Sequence, residues 1–267
     1  MVLRRKIAYL RCIPHTHFNR MRKFGLIGYP LGHSFSKQYF TEKFSRERIE
    51  DVQYDNYPLE DINGFDALVL SDLELGGLNV TIPYKERVIP YLDVLSEDAR
   101  EIGAVNTICL CTKTGRRTRV GHNTDVKGFR KSLEEQMDKR PEQALVLGTG
   151  GSSKAVVYAL EQMGIGVKRV SSSGKEGCLS YGEVDESLVS RSKLIVNTTP
   201  LGMSPRTDAC PDIPYNALSD EHLLFDLIYN PEETLFMKKG AERGARTVNG
   251  YDMLVYQAEA AWQIWNR

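Results

Sequence analysis

Short apolar runs alternate with amphipathic segments along most of this chain, a pattern that predicts strands alternating with helices. The first apolar run ends at Gly28, and Pro83 ends another, because proline has no amide hydrogen to give to a sheet ladder. Strands and helices in alternation indicate a parallel, or mostly parallel, sheet. The first half of the chain is predicted to contain strands at 24–27, 78–82 and 104–111, and helices at 36–45, 67–71 and 89–102.

A second series of the same kind begins near Asn123. An amphipathic segment at 127–139 predicts a helix, and an apolar run at 144–147 predicts a buried strand that leads through a glycine-rich turn into a helix ending at Met163. The last helix, 252–265, has no strand after it and is predicted to pack back onto the first part of the chain. The order is that of a doubly wound, Rossmann-type dinucleotide-binding domain, with further strands at 167–170, 194–197, 223–227 and 245–248.

The turn after residues 144–147 is the main candidate for a cofactor site. Glycine lets a backbone turn tightly and approach a pyrophosphate, whose charge is met by the exposed N–H groups at the start of the next helix. The third position of a G-x-G-x-x-G pattern is a serine here, so a plain link between strand and helix is the alternative, but the βαβ context favours a cofactor. The predicted cofactor contacts in this turn are Gly148, Thr149, Gly150, Gly151, Ser152 and Ser153.

The segment after the next predicted strand bears on which dinucleotide is bound. An NAD-specific site usually carries an aspartate or glutamate there, about 20 residues on, that accepts from the ribose 2′-hydroxyl. No acidic residue is present, which leaves room for a 2′-phosphate. Its candidate ligands are Ser171, Ser172 and Ser173, with Lys175 or Lys154 as the cation; the alternative is that the serines only form a polar turn.

Composition and charge exclude several classes of partner. Hydrophobic residues make up 41% and charged residues 26%, as in ordinary soluble globular proteins. The 35 basic side chains balance 35 acidic ones, so no overall field favours nucleic acid or an anionic membrane, and the chain has no apolar run long enough to span a bilayer. Five scattered cysteines without a zinc-like pair are typical of free thiols in a reducing compartment, which favours the cytoplasm and predicts no metal site.

Residues 1–20 differ from the rest of the chain, because they carry five basic side chains and no acidic one. The apolar stretch at 7–10 is too short for the hydrophobic region of a secretory signal. Met21 stands just before the first predicted strand. We therefore expect a basic N-terminal extension, disordered or the result of a misplaced start codon, and a targeting peptide is the alternative.

Several short stretches place polar groups where a packed sheet does not need them. They are His-Ser-Phe-Ser at 33–36, Asn-Val-Thr-Ile-Pro-Tyr-Lys at 79–85, Gly-Ala-Val-Asn-Thr at 103–107 and Asn-Thr-Asp at 123–125. Together with the glycine turn, Asn-Thr-Thr-Pro-Leu-Gly-Met at 197–203 and Gln257, this set strongly resembles the shikimate dehydrogenase family. The resemblance runs in order from about Phe24 to the C-terminus. The set is specific, although no single piece of it would be.

The resemblance implies a role for each matching residue. Lys85 and Asp125 match the catalytic pair and also contact the substrate; their ordinary alternatives are a solvated lysine and a helix N-cap. A ketone that receives a hydride develops negative charge on its oxygen, so a cationic donor oriented by a carboxylate lowers the barrier. The other implied substrate contacts are Ser34 and Ser36 at the carboxylate, Asn79, Thr81, Asn106 and Gln257 at the ring hydroxyls, and Tyr229 near the carboxylate end.

The resemblance also implies cofactor contacts and an architecture of two α/β domains. Asn197, Thr198 and Met203 belong to a loop along the cofactor, and Gly250 is a further contact. The implied activity is the reversible NADPH-dependent reduction of 3-dehydroshikimate to shikimate, on the route to chorismate and the aromatic amino acids, by a monomer or homodimer. The implied domains are an N-terminal substrate-binding domain with a mostly parallel sheet at 21–122, completed by the helix at 249–267, and a dinucleotide-binding domain at 123–248.

The chain departs from the family at one cofactor position. NADP-dependent members commonly carry an arginine in the turn after the second cofactor strand, and Ser172 stands in its place. A hydroxyl does not replace a planar, bidentate cation without loss, so NADP preference is weakened and NAD use stays open. A quinate/shikimate dehydrogenase with relaxed NAD and NADP use is therefore one alternative. A non-catalytic shikimate sensor is another, disfavoured by Lys85 and Asp125, and a folate-linked dehydrogenase is disfavoured by the paired serines.

Overall fold

A computed structural model describes residues 21–32, 35–113 and 116–267. The extension expected at 1–20 and the predicted substrate ligand Ser34 lie outside these described residues. The strands in the described ranges are β1 Arg22–Gly28, β2 Val52–Pro58, β3 Leu75–Val80, β4 Val94–Leu95, β5 Thr107–Lys113, β6 Arg116–His122, β7 Gln143–Leu147, β8 Gly166–Val170, β9 Leu194–Asn197, β10 Leu223–Asp226 and β11 Arg246–Val248.

The helices of the same ranges are mostly short and connect strand to strand, as expected for an α/β protein. They are α1 Phe35–Glu47, α2 Phe65–Ser71, α3 Glu97–Ile102, α4 Asp125–Gln136, α5 Gly151–Gln162, α6 Glu186–Arg191, α7 Leu235–Ala241 and α8 Tyr251–Trp265. None of the helices in the described part of the chain has the length and apolar character needed to cross a membrane.

The chain divides into two compact units. The first contains the described residues up to Leu95, with Thr107–His122 and Ala261–Arg267; the second contains Ser96–Asn106 and Asn123–Ala260. This division differs from the predicted domain boundaries at Ser96–Asn106 and along α8, whose residues up to Ala260 belong to the second unit. The assignment of substrate binding to one domain and cofactor binding to the other stays a prediction.

The first unit is built on a six-stranded sheet in the order β2-β1-β3-β5-β6-β4. Neighbours β1–β2, β1–β3 and β4–β6 are parallel, whereas β3–β5 and β5–β6 are antiparallel. The predicted, mostly parallel α/β class is thereby confirmed. Because β3 is central and parallel to β1, its carboxyl end and the residues after it lie at the edge of the sheet where α/β proteins bind ligands.

An aromatic core covers this sheet. The Trp265 ring stacks on Phe24 with ring centroids 4.7 Å apart, and Phe40 stacks on Tyr54 at 4.5 Å. The indole Nε1 of Trp265 donates to the Ile108 carbonyl at 3.0 Å. A Cβ on Gly77 would stand 2.2 Å from that nitrogen, so only glycine lets the indole lie on the strand. The end of α8 therefore packs onto the first unit, as the sequence predicts.

The second unit is a fully parallel five-stranded sheet in the order β11-β10-β9-β7-β8. Alternate residues of β7 enter two different cores: Ala144 and Val146 face α4 and α5, and Leu145 and Leu147 face α6 and α7. Both faces are therefore covered by helices, as in doubly wound folds. The strand order reverses between β7 and β9, and such a switch point is where these folds bind nucleotides.

Two sequence predictions about the first part of the chain are wrong, and two of its strands were not predicted. Residues 89–102 are not one helix, because a 3₁₀ turn at Ile89–Tyr91 and strand β4 precede α3, which Ser96 caps at its start and Gly103 (φ +68°) ends. Asn106 precedes β5 instead of lying inside it, since its side chain bonds to the start of α4. The strands β2 and β6 had no predicted counterpart.

Candidate active site

In the first unit, the end of β3 carries a buried hydrogen-bonded set of polar side chains. The Tyr54 hydroxyl donates to Asn79 Oδ1 at 2.8 Å, and Asn79 Nδ2 donates to Thr107 Oγ1 at 3.2 Å. Burial raises the pKa of Tyr54 far above its ordinary value, while a hydrogen bond with Ser36 lowers it. The structure thus brings the predicted residues Ser36 and Asn79 together. Tyr54 and Thr107 complete the set, and sequence reasoning gave neither a role.

Beyond β3, the loop that carries Thr81 and Lys85 is fixed by one buried aromatic side chain. Tyr84 is 0% exposed, and its hydroxyl donates to the Leu59 carbonyl at 2.6 Å. The Thr81 amide donates to Ile27 O at 2.9 Å, and the Tyr84 amide donates to Thr81 O at 2.9 Å. Thr81 and Lys85 are both half-buried. A lysine next to such an anchored residue has a defined backbone position from which to act.

In the second unit, Asn106, Asp125 and Gln257 form a second buried cluster, all at most 9% exposed. Asn106 Nδ2 lies 2.7 Å from Asp125 Oδ1, 2.9 Å from Thr124 Oγ1 and 3.3 Å from Gln257 Oε1. Its Oδ1 accepts from the Thr124 amide at 2.6 Å. The amide of Asn106 therefore fixes a carboxylate and a second amide side chain next to one another.

Close packing of α4 on α8 explains how residues so distant in sequence meet. A Cβ on Gly128 would stand 2.5 Å from the Met253 carbonyl and 3.0 Å from Gln257 Cβ. The two helices approach this closely because residue 128 has no side chain. Gln257 Nε2 donates to the Leu254 carbonyl at 2.9 Å, which turns its Oε1 towards Asn106. Of these residues on α4 and α8, the sequence analysis had named only Gln257. It gave no indication that the two helices meet at Gly128.

The glycine turn follows β7 at the switch point of the second sheet. Gly148 has φ +109°, and a Cβ there would stand 2.6 Å from Thr198 Oγ1. The Thr198 amide and hydroxyl both donate to the Leu147 carbonyl, at 2.9 and 2.6 Å, and Ser153 Oγ donates to the Gly148 carbonyl at 2.7 Å. These bonds tie the ends of β7 and β9 to the start of α5.

The same turn fits the pyrophosphate of a dinucleotide. A side chain on Gly150 would enter open space, with no protein atom within 4 Å of its Cβ. Helix α5 begins at Gly151, so the first N–H groups of that helix have no partner in a preceding helical turn. Donors of this kind at a helix start, next to a position without a side chain, are what a bound pyrophosphate requires. Thr149, Ser152 and Ser153 lie along this helix start.

The loop after β9 is held in place by hydrogen bonds to a buried carboxylate, that of Asp226. Asp226 Oδ1 accepts from Asn197 Nδ2 and from the Ile228 amide, both at 3.0 Å, and its Oδ2 accepts from Thr234 Oγ1 at 2.7 Å. Asn197 Oδ1 in turn accepts from the Thr199 hydroxyl at 2.7 Å. Burial raises the pKa of Asp226 to about 6, and these hydrogen bonds work in the opposite direction.

The remaining predicted site residues, which lie in this loop and between positions 228 and 250, differ in how exposed they are. Asn197 is 0% exposed and holds the loop, whereas Met203 is 46% exposed and Thr198 half-buried. Gly250 packs tightly, because a Cβ there would stand 2.1 Å from the Leu227 carbonyl. Burial raises the pKa of Tyr229 above its ordinary value.

Within the described ranges, no group of three or more His, Cys, Asp or Glu side chains is arranged to hold a metal ion.

In the serine turn after β8, the side chain of Ser171 forms its hydrogen bonds within the turn itself. Ser171 is 3% exposed, and its Oγ accepts from the Ser173 amide at 3.2 Å and lies 3.1 Å from Ser173 Oγ. The amide of Lys175 points to the same Oγ at 3.4 Å. Ser172 is exposed. For Ser171 the alternative of a plain polar turn therefore holds, because its side-chain oxygen is hydrogen-bonded within the turn.

Comparison with known proteins places these features in one family. Residues 26–108 match the model of the shikimate dehydrogenase substrate binding domain. A protein of Carboxydothermus hydrogenoformans named shikimate dehydrogenase (NADP(+)) is 37% identical over 256 residues, covering 90% of both chains.

Solved structures give the same result for the fold. A shikimate 5-dehydrogenase from Thermus thermophilus, in complex with NADP(H) and shikimate, is 28% identical with a TM-score of 0.80 and covers 92% of this chain and 93% of its own. A quinate dehydrogenase from Corynebacterium glutamicum, in complex with NAD, is 27% identical with a TM-score of 0.79 and covers 92% and 94%. On this evidence the chain belongs to the shikimate dehydrogenase family.

Proposed function

We propose that this chain is an NADP-dependent shikimate dehydrogenase that reduces 3-dehydroshikimate to shikimate reversibly, in the biosynthesis of chorismate and the aromatic amino acids. The observation that carries the proposal is that relatives of that name match nine-tenths of the chain, at 35–37% identity. Among the residues expected to contact the substrate, Ser36 and Asn79 belong to one polar set of the described fold, and Asn106, Asp125 and Gln257 belong to another. NADP is the proposed cofactor.

The proposed chemistry assigns proton transfer to Lys85. NADPH supplies a hydride to the carbonyl carbon of the substrate. The electron pair of the carbonyl π bond moves to oxygen, and the Lys85 ammonium gives that oxygen a proton, which the resulting amine regains from solvent. In the reverse direction the amine form accepts the proton of the hydroxyl. Half-burial of Lys85 on an anchored loop supports this role, since a group free to move would lose orientation.

Asp125, the other member of the proposed catalytic pair, is proposed to accept a hydrogen bond from the reacting hydroxyl of the substrate. Its Oδ1 accepts from Asn106 Nδ2 at 2.7 Å, so the orientation of the carboxylate is fixed. Asn106 and Gln257 are proposed to bind ring hydroxyls, because amide side chains offer both a donor and an acceptor. The remaining proposed substrate contacts are Ser34, Ser36, Asn79, Thr81 and Tyr229.

A quinate/shikimate dehydrogenase is the second candidate, and two observations favour it. The chain is similar to a quinate dehydrogenase that was solved with NAD, and Ser172 removes the arginine expected for NADP. A non-catalytic sensor is disfavoured because it has no need of both Lys85 and Asp125. Cytoplasmic location and a monomer or homodimer stay predictions from the sequence.

The test is a four-way absorbance assay at the nicotinamide band, with shikimate and quinate each against NADP⁺ and NAD⁺. The proposal expects turnover of shikimate with NADP⁺ to have the highest kcat/KM of the four. Comparable kcat/KM with quinate and NAD⁺ would assign the second candidate. No turnover with any pair, from protein that still binds NADPH, would remove both enzyme proposals and leave the sensor.

A further inference from the structure

If the proposed function is correct, this chain must bind a 2′-phosphate without an arginine at position 172. A 2′-phosphate carries close to two negative charges, and cationic side chains with charge-assisted hydrogen bonds are the usual way to hold it. Ser172 supplies only a hydroxyl. The buried Ser171 has its oxygen engaged with Ser173 and the Lys175 amide. The cations must therefore come from elsewhere in the second unit.

A cavity of about 710 Å³ in the second unit offers such cations. It begins at the glycine turn, where Thr149 and Ser153 line it, and runs between α5 and the end of β8 to the loop at 175–179. Its lining carries four cations and two carboxylates, so it is net positive although the whole chain has no net charge. The charged residues of the lining are Lys154, Lys168, Arg169, Lys175, Glu101 and Glu161.

Arg169 and Lys175 are brought to the same end of this cavity by backbone pairing. The Leu179 amide donates to the Arg169 carbonyl and the Ser171 amide donates to the Leu179 carbonyl, both at 2.8 Å. The loop at 175–179 consequently folds back along β8. A Cβ on Gly177 would stand 3.4 Å from the Arg169 guanidinium, so that guanidinium lies against the loop that carries Lys175.

The backbone of the turn that carries Lys175 depends on two glycines. Gly174 and Gly177 have φ values of +63° and +70°, which side chains rarely adopt, and they flank Lys175. In the described part of the chain, the side chains of Arg169 and Lys175 form no ion pair, so their charge is not neutralised by a neighbouring carboxylate. Lys154, half-buried in the first turn of α5, faces the same cavity from the side of the pyrophosphate turn.

We infer that Arg169 and Lys175, with Lys154 as a third cation, form the 2′-phosphate site of this chain and take over the role of the missing arginine. Arg169 offers a planar, forked set of donors, and Lys175 a point charge. The adenosine end of the cofactor then lies over the end of β8, next to the glycine turn that receives the pyrophosphate. This inference deepens the proposed function, because it names the groups by which NADP is told from NAD.

The experiment compares two cofactor fragments that lack nicotinamide, 2′,5′-ADP and 5′-ADP, by isothermal titration calorimetry on the full chain. The wild type is expected to bind 2′,5′-ADP at least tenfold more tightly. Arg169→Ala and Lys175→Ala are each expected to weaken 2′,5′-ADP by about tenfold, the size of one lost charge-assisted hydrogen bond, and 5′-ADP by less than twofold. Lys139→Ala, an exposed lysine of the same unit, is the control.

Three results would overturn the inference: equal affinity of the wild type for the two fragments, equal loss of both in the variants, or no loss of either. Thermal unfolding of each variant identifies one that has failed to fold, and Arg169→Gln and Lys175→Gln then serve as milder replacements with the same expected direction. Because the fragments cannot react, the result is independent of turnover. If the protein prefers 2′,5′-ADP to 5′-ADP but does not oxidise shikimate, the proposed activity is refuted and this site is not. If it oxidises shikimate but binds the two fragments equally, this site is refuted and the proposed activity is not.

Discussion

The buried carboxylate of Asp226 makes the stability of the second unit depend on pH in an unusual direction. Its pKa in the folded protein is raised to about 6 by burial, compared with about 4 for an exposed aspartate. Between these two values the folded protein binds more protons than the unfolded chain. The free energy of unfolding therefore falls as the pH rises through this window, whereas a salt-bridged aspartate would make it rise.

The size of the effect follows from the same two values. At about 1.4 kcal/mol for each pH unit, the full change is about 3 kcal/mol, and about 1 kcal/mol of it falls between pH 5 and 7. Asp226→Asn cannot titrate and keeps an oxygen for Asn197 and Ile228. We expect the stability of the wild type relative to this variant to decrease by about 1 kcal/mol from pH 5 to 7.

The assay is hydrogen exchange of peptides from β10 and α7 in increasing urea, with wild type and variant compared at each pH so that intrinsic exchange rates cancel. Both tryptophans lie in the first unit, so their fluorescence reports separately on that unit. Asp208→Asn, at an exposed aspartate of the same unit, is the control. A difference that stays constant with pH, or that grows as the pH rises, would refute the reasoning.

Three further predictions concern single positions. Ser172→Arg should tighten 2′,5′-ADP by about tenfold by adding one charge-assisted contact, and calorimetry showing no gain would mean that residue 172 does not face the phosphate. Gly148→Ala should weaken NADPH at least tenfold by fluorescence titration, because of φ +109° and a Cβ 2.6 Å from Thr198 Oγ1; unchanged affinity would contradict the tight turn. Trp265→Phe should lower the free energy of unfolding by about 2 kcal/mol through the lost bond to Ile108 O, and a loss near zero in urea titrations would contradict it.

Sequence alone predicted the second unit better than the first. Strands β7, β9 and β10 are short apolar runs, and β9 begins and ends where the pattern places it. In the first unit, β2 reads Val-Gln-Tyr-Asp-Asn-Tyr-Pro, where only Val52 and Tyr54 are buried, so its apolar signal is too thin to mark a strand. The segment 89–102 was predicted to be helical as a whole because its interruptions are short: a 3₁₀ turn at Ile89–Tyr91 and the two-residue strand β4 come before the helix that Ser96 caps.

The candidate site was predictable only in its named residues, not in how they are supported. Motif resemblance pointed to Asn79, Asn106 and Gln257, yet Tyr54 lies in no motif and is recognised only through its bond to Asn79. Likewise, the sequence could not tell which serine of the turn is buried, because the backbone pairing of 175–179 along β8 is a tertiary feature.

The central claim is that this chain transfers a hydride between shikimate and NADP⁺ with Lys85 as the proton-transferring group. The most direct measurement is the initial rate of NADPH formation from shikimate and NADP⁺ by the wild type, by Lys85→Met, and by Lys127→Met at an exposed lysine of α4. We predict that the first and third form NADPH at similar rates, while Lys85→Met binds NADPH normally and is slower by at least about a hundredfold, the lower end for a lost general acid. A Lys85→Met enzyme that is as fast as the wild type would contradict the account.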